Sequence, residues 1–376
     1  MKRRMVFVLV SLILALGLGA GSSLAAEIKI GVMCPLTGSW ASEGQDMKQI
    51  VELLADELNA AGGLLGKQVT VVVEDDAGDP RSAALAAQRL STKGVTAVIG
   101  TYGSSVTEAS QNIYDEAGIV QVATGSTAVR LSEKGLAKFF RTSPRDDEQG
   151  KVAAKTIMDK GFKNVAILHD NTSYAKGLAD ETKAILDANG VKIAFFDALT
   201  PKEQDYSAIL TNLKAANPDV IFFTGYYPEA GLLLRQKKEM NWLVPMLGGD
   251  ATNNSDLVKI AGKEPAQGFM FLSPPLPQDL DRADAKAFLA SYQAKFKAMP
   301  VSIWSVLAGD AFNVIVEAIA KTGSEDPATI ASYLKEKLDK YPGLTGDISF
   351  NEKGDRIGDL YRVYEVDAAG NFVLLP

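Results

Sequence analysis

The chain has 376 residues, a formal net charge of −7, one cysteine and one histidine. An acidic chain without clustered Lys and Arg is not a nucleic-acid binder, and a single cysteine excludes an internal disulfide. Hydrophobic cores must hold the fold, and the length supports two of them.

Lys2, Arg3 and Arg4 open the chain, an apolar run covers Val6 to Ala20, and small residues fill 21–26. This is the layout of a secretory signal peptide over 1–26, cleaved after Ala25 or Ala26. The run is shorter than the roughly 20 apolar residues that span a bilayer. Cys34 lies too far beyond the run to be a lipid attachment point. Losing Lys2, Arg3 and Arg4 takes the charge from −7 to −10, which disfavours anionic membrane surfaces as well.

Short apolar runs then alternate with amphipathic ones. Strands are predicted at 28–32, 68–74, 95–100 and 119–123, and helices at 46–60, 82–91 and 106–116. Gly62-Gly63 closes the first helix. The pattern restarts with helices at 150–160, 174–189, 206–216 and 229–240 and strands at 165–169, 192–196, 220–224 and 245–248. After Pro275 helices dominate (284–298, 305–321, 328–338), and a hairpin over 361–375 ends the chain. Strands separated by helices predict parallel sheets covered on both faces, hence an α/β fold. Segments 142–145, 273–275 and 346–358 are the candidate crossovers between two doubly wound lobes.

Catalytic signatures are missing. There is no G-x-S-x-G elbow, P-loop or G-x-G-x-x-G after a strand. Gly62 to Lys67 resembles a phosphate loop, but Gln68 stands where Ser or Thr is needed. His169 beside Asp170 allows a hydrolase site, although a lone histidine at a strand end reads better as structural. Asp75, Asp76 and Asp79 lack the spacing and distal Glu of a calcium loop, so no metal is expected.

The informative residues lie just past strand ends, where open α/β sheets bind ligands. Tyr102, Gly103 and Ser104 precede a helix whose N-terminus suits a carboxylate; Ser104 or Ser105 as a plain N-cap is the alternative. Gly125, Ser126 and Thr127 follow the next strand and read equally as a polar turn. Tyr174, Tyr226 and Asp250 hold corresponding positions in the second half.

The chain resembles the periplasmic leucine/isoleucine/valine-binding proteins along essentially its whole mature length. The resemblance is carried by Asn59 to Gly63, Glu74 to Pro80, Val98 to Gly100 with Ser104-Ser105, Ile113 to Gly118, His169-Asp170 with Tyr174, Gly225-Tyr226 with Pro228-Glu229, and Asn351 to Asp355. It implies a periplasmic, hinged, monomeric amino-acid receptor without cofactor that delivers its cargo to an ABC permease in the inner membrane. A soluble sensor presenting its ligand to a membrane receptor is the alternative. The lobes would comprise 27–145 with 274–355, and 146–273 with 356–376. Ser104 and Thr127 would hold the ligand carboxylate. Gly125 (through its carbonyl) and Asp250 would take the ammonium, and Tyr174 and Tyr226 would close over it.

The chain departs from the family in its disulfide positions, in the acid for the ammonium and around the ligand side chain. Family members can carry a cysteine pair at positions matching Gly78 and Gly103. Asp250 stands where the best-known members have Glu. Glu43 and Ser302 fall where those members place aromatics, and Tyr102 replaces an aliphatic. Trp40 is expected to compensate, and a larger or more polar amino acid fits as well as a branched aliphatic one.

Overall fold

A computed structural model describes residues 27–376; the expected signal peptide lies outside the described residues. The first sheet collects β1 (Glu27–Cys34), β2 (Gln68–Asp75), β3 (Ala97–Ile99), β4 (Val120–Ala123) and β5 (Phe139–Arg141) in the order β2-β1-β3-β4-β5. Every pair is parallel. The connections are α1 (Ala41–Ala60), α2 (Pro80–Ser91), α3 (Ser104–Glu116) and the single turn α4 (Arg130–Glu133). Parallel strands need such covered crossovers, so β1 is buried on both faces. Ile28, Ile30 and Val32 pack with residues of α1, while Met33 packs with Ala83, Ala86 and Leu90 of α2.

The chain then crosses to a second sheet. It contributes α5 (Asp146–Asp159), β6 (Asn164–His169), α6 (Ser173–Ala188), β7 (Lys192–Ala198), α7 (Ser207–Ala215), β8 (Val220–Phe223), α8 (Tyr227–Glu239), β9 (Met246–Gly248), α9 (Asp256–Ala261), α10 (Lys263–Ala266) and β10 (Met270–Ser273). It returns to the first lobe for α11 (Ala283–Phe296), α12 (Ile303–Thr322), α13 (Pro327–Glu336) and the hairpin of β11 (Tyr341–Gly343) and β12 (Gly346–Ile348). α12 is long and apolar enough to cross a membrane, but it is largely buried, packed along α1 as a core helix. A third passage adds β13 (Arg362–Val366) and β14 (Phe372–Leu374), giving the order β14-β13-β10-β9-β8-β6-β7, in which β13 alone runs antiparallel to its neighbours. The molecule is therefore α/β, with two doubly wound lobes joined by three crossovers.

An ion cluster ties two crossovers together. Buried Arg141 donates to Asp355 over 2.6 Å, and Arg145 reaches the other carboxylate oxygen over 2.8 Å. Burial alone would raise the Asp355 pKa, but the two guanidiniums outweigh it and hold the carboxyl low.

Candidate functional site

Each residue singled out beyond a strand end sits at the carboxyl end of one of the two sheets. In the first lobe, Trp40 holds the N-cap position of α1, Gly103 that of α3, and Gly125 to Thr127 follow β4. The first turn of α3 begins with Ser104, so the Ser104 and Ser105 amides precede the first intrahelical bonds, made by Val106 and Thr107 to Gly103. Ser104 Oγ accepts from the Ala128 amide at 3.1 Å, which braces the Gly125–Thr127 loop and leaves the hydroxyl able to donate. Thr127 Oγ1 is buried without a well-aligned protein partner. Ser126 turns away: its hydroxyl lies 2.6 Å from Thr107 Oγ1 and within reach of the Thr101 and Tyr102 carbonyls, so it can offer the site only its main chain. Arg141 donates to the Ser126 and Ala128 carbonyls at 3.1 and 2.9 Å, so the same guanidinium serves hinge and ligand loop.

In the second lobe Tyr174 opens α6 after β6, Tyr226 is the N-cap of α8 after β8, and Asp250 begins a 3-10 turn after β9. All three side chains are buried. Tyr174 Oη accepts from the Ala251 amide at 3.3 Å. A Cβ at Gly249 would lie 2.4 Å from that oxygen, so this approach requires glycine. Tyr361, on the third crossover, donates to Asp250 Oδ2 at 2.7 Å. Burial pushes the Asp250 carboxyl up to about 6, against the pull of Tyr361 and its other donors.

Asp146 was not singled out by the sequence. It is fully buried at the start of α5, its amide donates to the Thr127 carbonyl at 3.0 Å, and one of its oxygens has no partner. Burial and the neighbouring Asp250 charge both raise its pKa. Gln149 links the two acids. It donates to Asp146 Oδ1 and to Tyr361 Oη, each at 3.1 Å, and accepts from the Asp250 amide at 2.9 Å. Among the described residues no lysine or arginine is paired to Asp250, so the charge of these two buried carboxyls is offset only by a proton or by a cation beside them.

The lobes are closed on each other. Trp40 stacks on Tyr226 across the cleft at 4.1 Å between ring centroids, and Tyr102 meets both rings edge-on. Tyr227 donates to the Ser39 carbonyl at 3.0 Å, and Ser173 donates to Ser105 at 2.9 Å. Glu43 is fully buried and accepts from Asn254 of the second lobe and from Ser302, both at 2.7 Å. The glycines at 78 and 103 have a physical reason. A Cβ at Gly78 would lie 2.6 Å from the Trp40 ring, and one at Gly103 would lie 2.9 Å from it. Trp40 thus occupies the space that side chains at these two positions would need.

His169 does not form a triad. Its Nδ1 accepts from the Asn171 amide at 3.1 Å, its ring packs on Phe196, and Asp170 accepts from the Thr172 amide instead of orienting the imidazole. Asp75 and Asp79 spend their oxygens on local amides and hydroxyls. Among the described residues no cluster of His, Cys, Asp or Glu is arranged to hold a metal ion.

A cleft between two hinged α/β lobes, with a helix N-terminus on one wall and acids on the other, matches one family description. The model of the periplasmic binding proteins covers residues 27–371. This chain belongs to the periplasmic binding protein family. That family binds solutes and is not an enzyme family. Its relatives include the Leu/Ile/Val-binding protein homolog 1 of Brucella abortus, 35% identical over 344 residues and 91% of each chain. Another is the leucine-, isoleucine-, valine-, threonine- and alanine-binding protein of Pseudomonas aeruginosa, 35% identical over 92% of each chain. Among solved structures, the leucine binding protein LivK of Thermotoga maritima superposes with a TM-score of 0.86 at 28% identity, covering 93% of this chain and 98% of that one. LivJ of Streptococcus pneumoniae, solved with isoleucine, gives 0.85 at 30% identity, over 93% and 99%.

Proposed function

We propose that the chain is the substrate-binding component of an ABC importer, secreted into the periplasm after removal of residues 1–26, and that it closes around one free amino acid. The observation that supports this reading most is the set of groups buried together: the α3 N-terminus with Ser104 and Thr127 in the first lobe, Asp250 in the second, and Asp146 bonded to the Thr127 carbonyl between them. A positive dipole end and hydroxyl donors suit a carboxylate; two acids and the Gly125 carbonyl suit an ammonium. Only a zwitterion satisfies both ends at once. Tyr174 and Tyr226 cover it when the lobes close, and the protein performs no chemical step on it.

The lobes that move are 27–145 with 274–355 and 146–273 with 356–376. The ligand favours the closed form through its differential affinity for that form, and an inner-membrane permease receives the closed monomer. Thermal unfolding of the mature protein against the twenty amino acids tests the reading. A ligand at about 100 times its Kd adds roughly 2.7 kcal/mol of stability. A panel in which no amino acid moves the transition refutes it.

A further inference from the structure

We infer that the cleft is built for an amino acid whose side chain carries a hydrogen-bonding group, a hydroxyl or a carboxamide, and that Tyr102 is the residue that selects it. The inference rests on the amino-acid reading above and narrows it.

Tyr102 lies between the carboxylate-binding helix α3 and β3, and its ring packs over Gly125, where a Cβ would come within 2.6 Å. Trp40 and Tyr226 meet the ring edge-on at 5.5 and 5.7 Å. The side chain is 2% exposed, yet its hydroxyl has no hydrogen-bond partner among the described residues. Glu43 from the first lobe and Tyr226, Tyr227 and Asp250 from the second act on it electrostatically. The unpaired hydroxyl is thus buried where the two lobes meet. A buried hydroxyl left unpaired is costly, so an aliphatic side chain beside it forfeits a hydrogen bond that a polar one makes. Sites built around such a group discriminate strongly against analogues that lack it.

The neighbouring wall has the same character. Glu43, Asn254 and Ser302 form a chain of buried polar groups. Burial pushes the Glu43 carboxyl up to about 8, so at neutral pH this wall is a neutral hydrogen-bonding surface instead of an anion. Trp40, seated over Gly78 and Gly103, supplies the flat apolar face that the rest of a side chain can lie against.

Three ligand pairs separate polarity from shape: valine and threonine, leucine and asparagine, which are isosteric, and phenylalanine and tyrosine, which differ by one hydroxyl. Calorimetric titration of the mature protein is expected to show the polar member of at least one pair binding tenfold or more tightly than its apolar partner. Tyr102→Phe is expected to collapse that ratio to within threefold of unity, with folding checked by thermal unfolding. Should that variant fail to fold, Glu43→Leu, which makes the adjoining wall apolar, is expected to shift the same ratio towards the apolar member. Apolar members binding more tightly in all three pairs would overturn the inference and leave the amino-acid reading standing. So would a ratio that neither variant changes. Binding of none of the twenty amino acids would overturn both.

Discussion

The two walls of the cleft are built differently. Around the α3 N-terminus the first-lobe wall is main chain and hydroxyls, with the Gly125–Thr127 loop pinned from behind by Ser104, Ser143 and Arg141. The second-lobe wall is long side chains, Tyr174, Tyr226 and Asp250, held in place by groups from the crossovers, Gln149 and Tyr361. The bonds that brace the first wall lie inside the first lobe, and the second wall's long side chains reach across to it through the Trp40–Tyr226 stack. This is the division of labour expected if a ligand lands on one lobe and is locked by the other.

The contrast can be broken from the hinge outward. Asp355→Ala leaves buried Arg141 uncompensated and loosens the first wall, so unfolding free energy should fall by about 3–5 kcal/mol in denaturant titration. A loss under about 1 kcal/mol would show that the cluster braces nothing. Asp250→Asn should weaken amino-acid binding by about 2–4 kcal/mol in calorimetry while barely touching a carboxylic acid that lacks the ammonium. Equal weakening of both would remove Asp250 from its role. Gly103→Ala pushes a methyl into Trp40. It should cost about 1–3 kcal/mol of stability, and an unchanged melting temperature would mean that the indole relocates freely.

The acid pair predicts a pH dependence. The folded Asp250 pKa, about 6, lies above its usual value, so the charged form is the penalised one and the group costs stability as pH rises through that range. An ammonium ligand requires the charged form, so binding below about pH 6 must expel a proton. Affinity should fall on acidification, approaching about tenfold per pH unit once Asp250 is mostly protonated. Affinity that rises on acidification would reverse the assignment. The smallest effect belongs to Tyr361→Phe, which removes one hydrogen bond to Asp250 and should cost about 1 kcal/mol of affinity. A much larger loss would make the tyrosine part of the hinge as well.

Periodicity revealed the elements that are long. The helix of α1 was read from Asp46, but it begins at Ala41, because nothing in Ala41 to Gln45 distinguishes a first turn from a loop. That error hid the placement of Glu43 on the helix beside Asn254 and Ser302. Strands β5, β10, β11 and β12 went unread, whereas β3, β4, β8 and β9, just as short, were predicted because each falls between two predicted helices. Strand-end logic found Ser104, Thr127, Tyr174, Tyr226 and Asp250, since those positions follow from sheet topology. Asp146 and Gln149 escaped it: they fall between the crossover expected at 142–145 and the helix expected at 150–160, whereas α5 begins at Asp146. Tyr361 escaped as well, read as the first residue of a strand, and only the fold brings it within 2.7 Å of Asp250.

The Trp40–Tyr226 stack joins residues that belong to opposite lobes, whereas Trp242 packs against a core cluster made mostly of second-lobe residues. Parting the lobes must move the Trp40 indole from a phenol face into water. The molecule thus carries its own optical gauge: the emission of Trp40 follows the opening and shutting of the cleft, with no label attached.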